Sequence, residues 1–234
     1  MGLVQTLDFY QIVYEDEQRK HLYDFCVPYN NNNPTPFLEN EVIRSVIPQS
    51  KADLISVCSW RLRHERNVMP SRYVLTTDAA LLSKQRILAQ PFDVAILTTR
   101  LSGHKTFFMG AHWFGRAWDE SVSILAEFLK KELLVKVPRE LEHAIYENHF
   151  IAKGSLYKEY VNFCLEPVMK FMEQEPIFFL PSGYRKHKEH DAEFEQIRHY
   201  QESTGMSDWI IGVFLLEHLF SLWINDKRLK VIVL

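Results

Sequence analysis

Four short segments of the chain combine residue types that can do chemistry. The first is Trp60-Arg61-Leu62-Arg63. An arginine fork can hold a diphosphate through paired charge-assisted hydrogen bonds, and a tryptophan face can stack on a sugar or a base. A basic surface turn would carry the same residues. The second is Ala111-His112-Trp113-Phe114, with His104 and Trp118 nearby. Imidazole and indole together suit recognition of a polar ring, and equally an aromatic packing corner. The third runs from Ile145 to Lys153, where Asn148 and His149 interrupt an apolar run. Polar groups inside such a run need partners, which a binding pocket or a helix cap can supply. The fourth is Phe214 to Phe220, an apolar helix pattern that carries Glu217. A half-buried carboxylate is either paired or raised in pKa, so Glu217 is a candidate general base or a structural ion-pair member.

Other chemistries have no foothold. There is no G-x-G-x-x-G, no G-x-x-x-x-G-K-[ST], no G-x-S-x-G and no H-E-x-x-H, and only eight glycines from which to build a phosphate loop. His187, His190 and Asp191 lie close together, but within a charged stretch that reads as a solvated helix face. No metal-ligand set is assigned.

These segments need a scaffold. The 234 residues suit one domain, 1–234, large enough to bury roughly 70% of its unfolded surface. Hydrophobic residues make up 47%, charged residues 24% and aromatics 13%. A net charge of −3 lacks the basic footprint of a nucleic-acid binder. Cys26, Cys58 and Cys164 are scattered without a C-x-x-C pair, which implies reduced thiols and a cytoplasmic setting. With no secretory signal and no apolar run long enough to span a bilayer, any membrane contact is expected to be peripheral.

Thr6–Tyr14 reads as a strand, followed by an acidic run, Glu15 to Glu17, that can open a short helix. Tyr29–Pro36 reads as a loop and Leu38–Val46 as a helix stopped by Pro48. Ala52–Trp60 and Phe92–Thr98 are nearly continuous apolar runs, expected as neighbouring strands buried on both faces. Helices are expected over Val74–Leu88, Asp119–Glu132 and Asp208–Asn225. Another is expected over Leu156–Glu175, kinked by Pro167, with Leu156, Tyr160, Phe163, Val168, Phe171 and Met172 on one face. Lys186–Gln201 reads as a solvated helix or mobile segment, and Arg228–Leu234 as a closing strand. The alternation implies an α/β fold. The Trp60 segment then ends a central strand, where open α/β sheets collect ligands.

In order and spacing, the chain resembles the capsular-polysaccharide glycosyltransferase-like proteins of gut bacteria. The resemblance rests on Tyr10-Gln11-Ile12, Ala52 to Arg63, Tyr146 to Lys153 and Phe214 to Ser221. It implies a glycosyltransferase-A-like fold, a central mixed, mostly parallel sheet flanked by helices. It also implies transfer of a sugar from a nucleotide-sugar donor to a polysaccharide or lipid-linked acceptor at the inner membrane face. Arg61 and Arg63 would hold the diphosphate, with Mn or Mg as its counter-ion, and Trp60 would stack. Tyr10, Gln11, His112, Trp113, Asn148 and His149 would bind substrate, and Glu217 would be the base. Two departures stand beside the resemblance. Glu217-His218 replaces a Glu-Arg pair, exchanging a permanent cation for a titrating one. No Asp-x-Asp metal–diphosphate clamp is present, Thr77-Asp78 and Asp93 being the nearest substitutes. A non-catalytic binding or scaffold module of the same fold is the alternative.

Overall fold

The computed structural model describes residues 5–31, 35–60, 62, 91–97, 116–138, 140–145, 148–182, 201–202, 204–205 and 209–233. The expected helix at Val74–Leu88 and nearly all of Lys186–Gln201 lie outside them. Six strands form one mixed sheet: β1 (Leu7–Val13), β2 (Val27–Asn30), β3 (Leu54–Ser59), β4 (Val94–Ile96), β5 (Phe150–Lys153) and β6 (Val231–Val233). Their order is β2-β1-β3-β5-β4-β6. Only β5 runs against the rest, antiparallel to both β3 and β4. The α/β class and the mixed, mostly parallel sheet flanked by helices match the expectation.

The expected pairing of the two apolar runs is corrected. β3 and β4 are both fully buried strands, but β5 separates them. An apolar run reports burial on two faces and carries no information about which strand lies beside it. Part of the expected asparagine-rich loop is also strand. Tyr29 and Asn30 pair with Ile12 and Val13, and Pro28 is tolerated because β2 is an edge.

Strand alternation divides the side chains between two faces. On one face Ile12, Ile55, Val57, Val94, Ile96, Phe150 and Ala152 join the main core. This core is closed by α1 (Glu39–Val46), α2 (Arg116–Glu132), α3 (Gly154–Tyr160), α4 (Glu166–Met172) and α5 (Ile211–Asp226). The rings of Phe150 and Phe220 stack at 3.9 Å, fixing α5 across β5. On the other face Phe9, Leu54, Cys58, Ala95, Leu97 and Ile151 form a smaller core with Tyr23, Leu62 and Phe92. A 3-10 turn, Asp16–His21, leads the chain from β1 across this second face toward β2.

Pro167 acts one turn earlier than a simple kink. A π turn, Val161–Leu165, joins α3 to α4, with the Glu166 N–H bonded to the Val161 carbonyl. Proline cannot supply the N–H for the regular ladder, and the extra residue rotates the buried stripe. Val161, Cys164 and Leu165 therefore face the core, while Phe163, expected inside, is 70% exposed.

Among the described residues no helix is long and apolar enough to cross a membrane.

Candidate functional site

The crevice between β1 and β3 is a topological switch point. From β1 the chain steps outward to β2 on one side, and from β3 it moves on to β4 on the other. Carboxyl ends of strands flanking such a point are where open α/β sheets bind ligands. Because β5 is reversed, its amino end joins the same edge, so the residues that enter β5 lie beside those that leave β3 and β4.

Two of the expected residues, Gln11 and Trp60, share the smaller-core face there. Gln11 lies directly across from Cys58 in the β1–β3 register. The β3–β5 ladder pairs Leu54 with Lys153 and Ile55 with Ala152; beyond it the Ser56 hydroxyl donates to the Phe150 carbonyl at 2.7 Å, and the His149 carbonyl accepts the Leu97 N–H at 2.9 Å. Gln11 and Cys58 thus lie side by side on two strands, and His149 stands at the entry to the third. Trp60 follows two residues beyond Cys58, toward the carboxyl edge. Its N–H donates to the Ile12 carbonyl at 3.0 Å, and its ring lies 5.3 Å from His21, centroid to centroid.

Gln11 is fully buried, and its Oε1 accepts the Tyr23 N–H at 2.7 Å. That bond fixes the amide's orientation, since only the oxygen can accept. The Nε2 is left as a buried donor without a partner among the described residues. Asn148 enters β5 with φ 53°, in the left-handed region, and is 4% exposed. Asparagine is among the few residues that tolerate this conformation. Its Nδ2 is likewise buried and without a partner. His149 is 1% exposed.

Glu217 approaches from the opposite face. α5 runs down into β6, so its amino end lies toward the carboxyl edge. Phe220 stacks on Phe150, the first residue of β5. Glu217, one turn earlier and half-buried, stands at about the level of Asn148. The same helix holds the approach to β5. Ser221 Oγ donates to the Ile145 carbonyl at 2.7 Å and accepts its N–H at 2.6 Å, and Asn225 binds the backbone of Glu142 and His143. Beside Glu217, the expectation of a titrating His218 is corrected. Burial pushes its pKa down to about 3, so the imidazole stays neutral at physiological pH.

Tyr10 does not join the group. It packs against the helix-covered core, and its hydroxyl lies 3.4 Å from Asp8 Oδ2, back toward the amino end of β1. Arg61, Arg63, His112 and Trp113 lie outside the described residues. Asp93 does not supply a metal clamp, because it sits at the amino end of β4. Burial raises its pKa, but Lys153 Nζ at 2.8 Å and the Lys230 N–H at 2.9 Å outweigh that and hold it below the usual range. Among the described residues no three His, Cys, Asp or Glu side chains converge to hold a metal ion.

Neither buried thiol is a nucleophile. Burial raises the pKa of Cys58 well above its ordinary value and that of Cys164 to about 12. The sequence reading missed His21 and Tyr23, which cover this edge from the turn after β1. The acidic start of that turn was legible, but no periodicity marked the residues that fold back over Trp60. This edge gathers an indole ring covered by His21 and two buried amide donors.

No protein-family model, curated protein or solved structure matches the chain.

Proposed function

We propose that this chain is a glycosyltransferase of surface-polysaccharide assembly with a glycosyltransferase-A-like fold. It takes a sugar from a nucleotide-sugar donor and passes it to a polysaccharide or lipid-linked acceptor. The observation that carries the reading is that Gln11 and Trp60 lie toward the carboxyl ends of β1 and β3, which flank a topological switch point, with Asn148 and His149 entering β5 at the same edge. The mixed, mostly parallel sheet supports the fold assignment.

In this reading Trp60 stacks on the donor, and Arg61 and Arg63, which follow it in sequence, neutralise the departing diphosphate. Asn148, His149, His112 and Trp113 orient donor and acceptor. Glu217, at the same edge, takes the acceptor hydroxyl proton. Gln11 belongs to the donor side, whereas Tyr10, tied toward Asp8, serves the fold. A Mn or Mg ion would accompany the diphosphate, and no residue of the chain is assigned to hold it.

Thermal unfolding in the presence of uridine, guanosine, cytidine and thymidine diphosphates, with and without manganese, tests the proposal. A diphosphate at ~100 times its dissociation constant should add about 2.7 kcal/mol of stability. A folded sample that shifts with none of them fits the non-catalytic module instead.

A further inference from the structure

Resting on that reading, we propose that the turn after β1 is a strap closed over Trp60, with His21 holding the indole face that the donor takes when it binds. The imidazole of His21 lies 5.3 Å from the Trp60 ring, centroid to centroid, and the two planes are tilted by 33°. That is a ring-on-ring contact, closer to parallel than to edge-on. At 9% exposure the indole has little open face to offer. A ligand ring stacked on it would need the place that His21 holds. Trp60 therefore stacks on a donor only in a state from which His21 has withdrawn.

The chain around His21 is fastened at two points and lighter between them. At one point Gln18 is buried, and its Oε1 accepts the Tyr14 N–H at 2.8 Å. At the other Tyr23 is buried, and its N–H donates to Gln11 Oε1 at 2.7 Å. Between them Arg19 and Lys20 are exposed, and His21 and Leu22 are half-buried. This stretch is tied at the surface by Arg19, which reaches Asp16 and the Asn30 side chain, and within the turn by the Leu22 N–H on the Arg19 carbonyl at 3.1 Å. Exposed ion pairs hold weakly, and 3-10 hydrogen bonds are poorer than those of an α-helix. A rotation of these few residues carries the imidazole off the indole while Gln18 and Tyr23 stay in place, as in other loops that move between fixed ends. The site then has two states, His21 on Trp60 or the donor on Trp60. A ligand that binds only the open state has its affinity reduced by the fraction that is open.

Calorimetric titration of the whole chain, native and His21→Ala, with uridine, guanosine, cytidine and thymidine diphosphates tests the inference. His21→Ala should bind the preferred diphosphate about two- to tenfold more tightly than the native chain, the worth of one aromatic pair in an equilibrium constant. His21→Phe keeps a ring on the indole and should show no gain. In the empty protein, acrylamide should quench Trp60 emission more strongly in His21→Ala than in the native chain, the Trp60 share being taken by difference from Trp60→Phe in each background. Circular dichroism confirms the fold of each variant, and His21→Ser serves if His21→Ala does not fold. A His21 that merely packs the turn would lower stability on removal and leave affinity unchanged or weaker. That result, or equal quenching in the two proteins, overturns this inference and leaves the proposed function standing. Binding of none of the diphosphates, by the native chain or the variants, overturns both.

Discussion

At the amino edge of the sheet the carboxylates are answered. Asp53 accepts the Thr6 N–H at 2.8 Å and its hydroxyl at 2.9 Å. Asp93 is held by Lys153 and by the Lys230 N–H, and Asp8 accepts the Ser50 hydroxyl at 2.6 Å. At the carboxyl edge a buried glutamine and a buried asparagine keep donors with no partner among the described residues, and the asparagine stands at positive φ. One edge uses its polar groups to fasten strands. The other carries a conformational and desolvation cost, which in the proposed reading a ligand answers. If the contrast is real, substitutions at the first edge should cost stability and leave binding alone, and those at the second should do the reverse.

The largest effect should come at Gly154, where β5 turns into α3 at the amino edge. A Cβ there would collide with the Ala52 carbonyl oxygen, while the Gly154 N–H is held by the Asp53 carbonyl at 2.7 Å. Backbone cannot yield as a flexible side chain does, so Gly154→Ala should cost about 1–3 kcal/mol in urea unfolding. Nucleotide affinity of the folded fraction should not change. A variant that keeps its stability but loses binding would break the comparison.

Within a pH unit of neutrality a smaller effect comes from His218, whose imidazole is buried and neutral. The unfolded chain takes up a proton near pH 6.5, and the folded chain resists until about pH 3. Between those values the unfolded state binds more protons, so stability falls as pH falls, by about 1.4 kcal/mol for each unit below 6.5. His218→Gln should flatten that part of the profile. An imidazole that titrates near pH 6.5 by NMR in the folded protein would disprove the assignment.

Much of the frame was legible in the residues, and the reasons separate what was from what was not. β1, β3, β4 and α5 are long or strongly apolar, so burial writes them into the sequence. β5 was missed as a strand because four residues running straight into a helix look like the helix's own apolar lead. Its hydrogen bonds come from β3 and β4, which are remote in sequence. The same insertion overturned the expected pairing of β3 with β4. Phe163 was misplaced because the π turn before Pro167 adds a residue that no 3.6-residue pattern anticipates. At the site, Trp60, Asn148 and His149 stood out as polar or aromatic breaks in apolar runs. Gln11 came only with the resemblance, since one glutamine in a strand carries no signal until its buried, half-satisfied amide is seen.

The smallest expected change in stability is also the sharpest discriminator, and it lies at Asn148. Its φ of 53° is a conformation that glycine adopts without penalty. Asn148→Gly therefore relieves the backbone and deletes a buried donor that has no partner among the described residues. Against this, glycine gains entropy in the unfolded chain. These terms are of similar size and opposite sign, so the net change should lie within about 1 kcal/mol of zero. A purely structural asparagine would behave otherwise, because removing its bonds would leave their buried partners unmet and cost about 1–3 kcal/mol. Denaturant unfolding and nucleotide titration of this one variant separate the cases. Near-native stability with weakened binding marks the carboxyl edge as the ligand surface. Lost stability with native binding would make Asn148 part of the fastening, and the two edges would then be built alike.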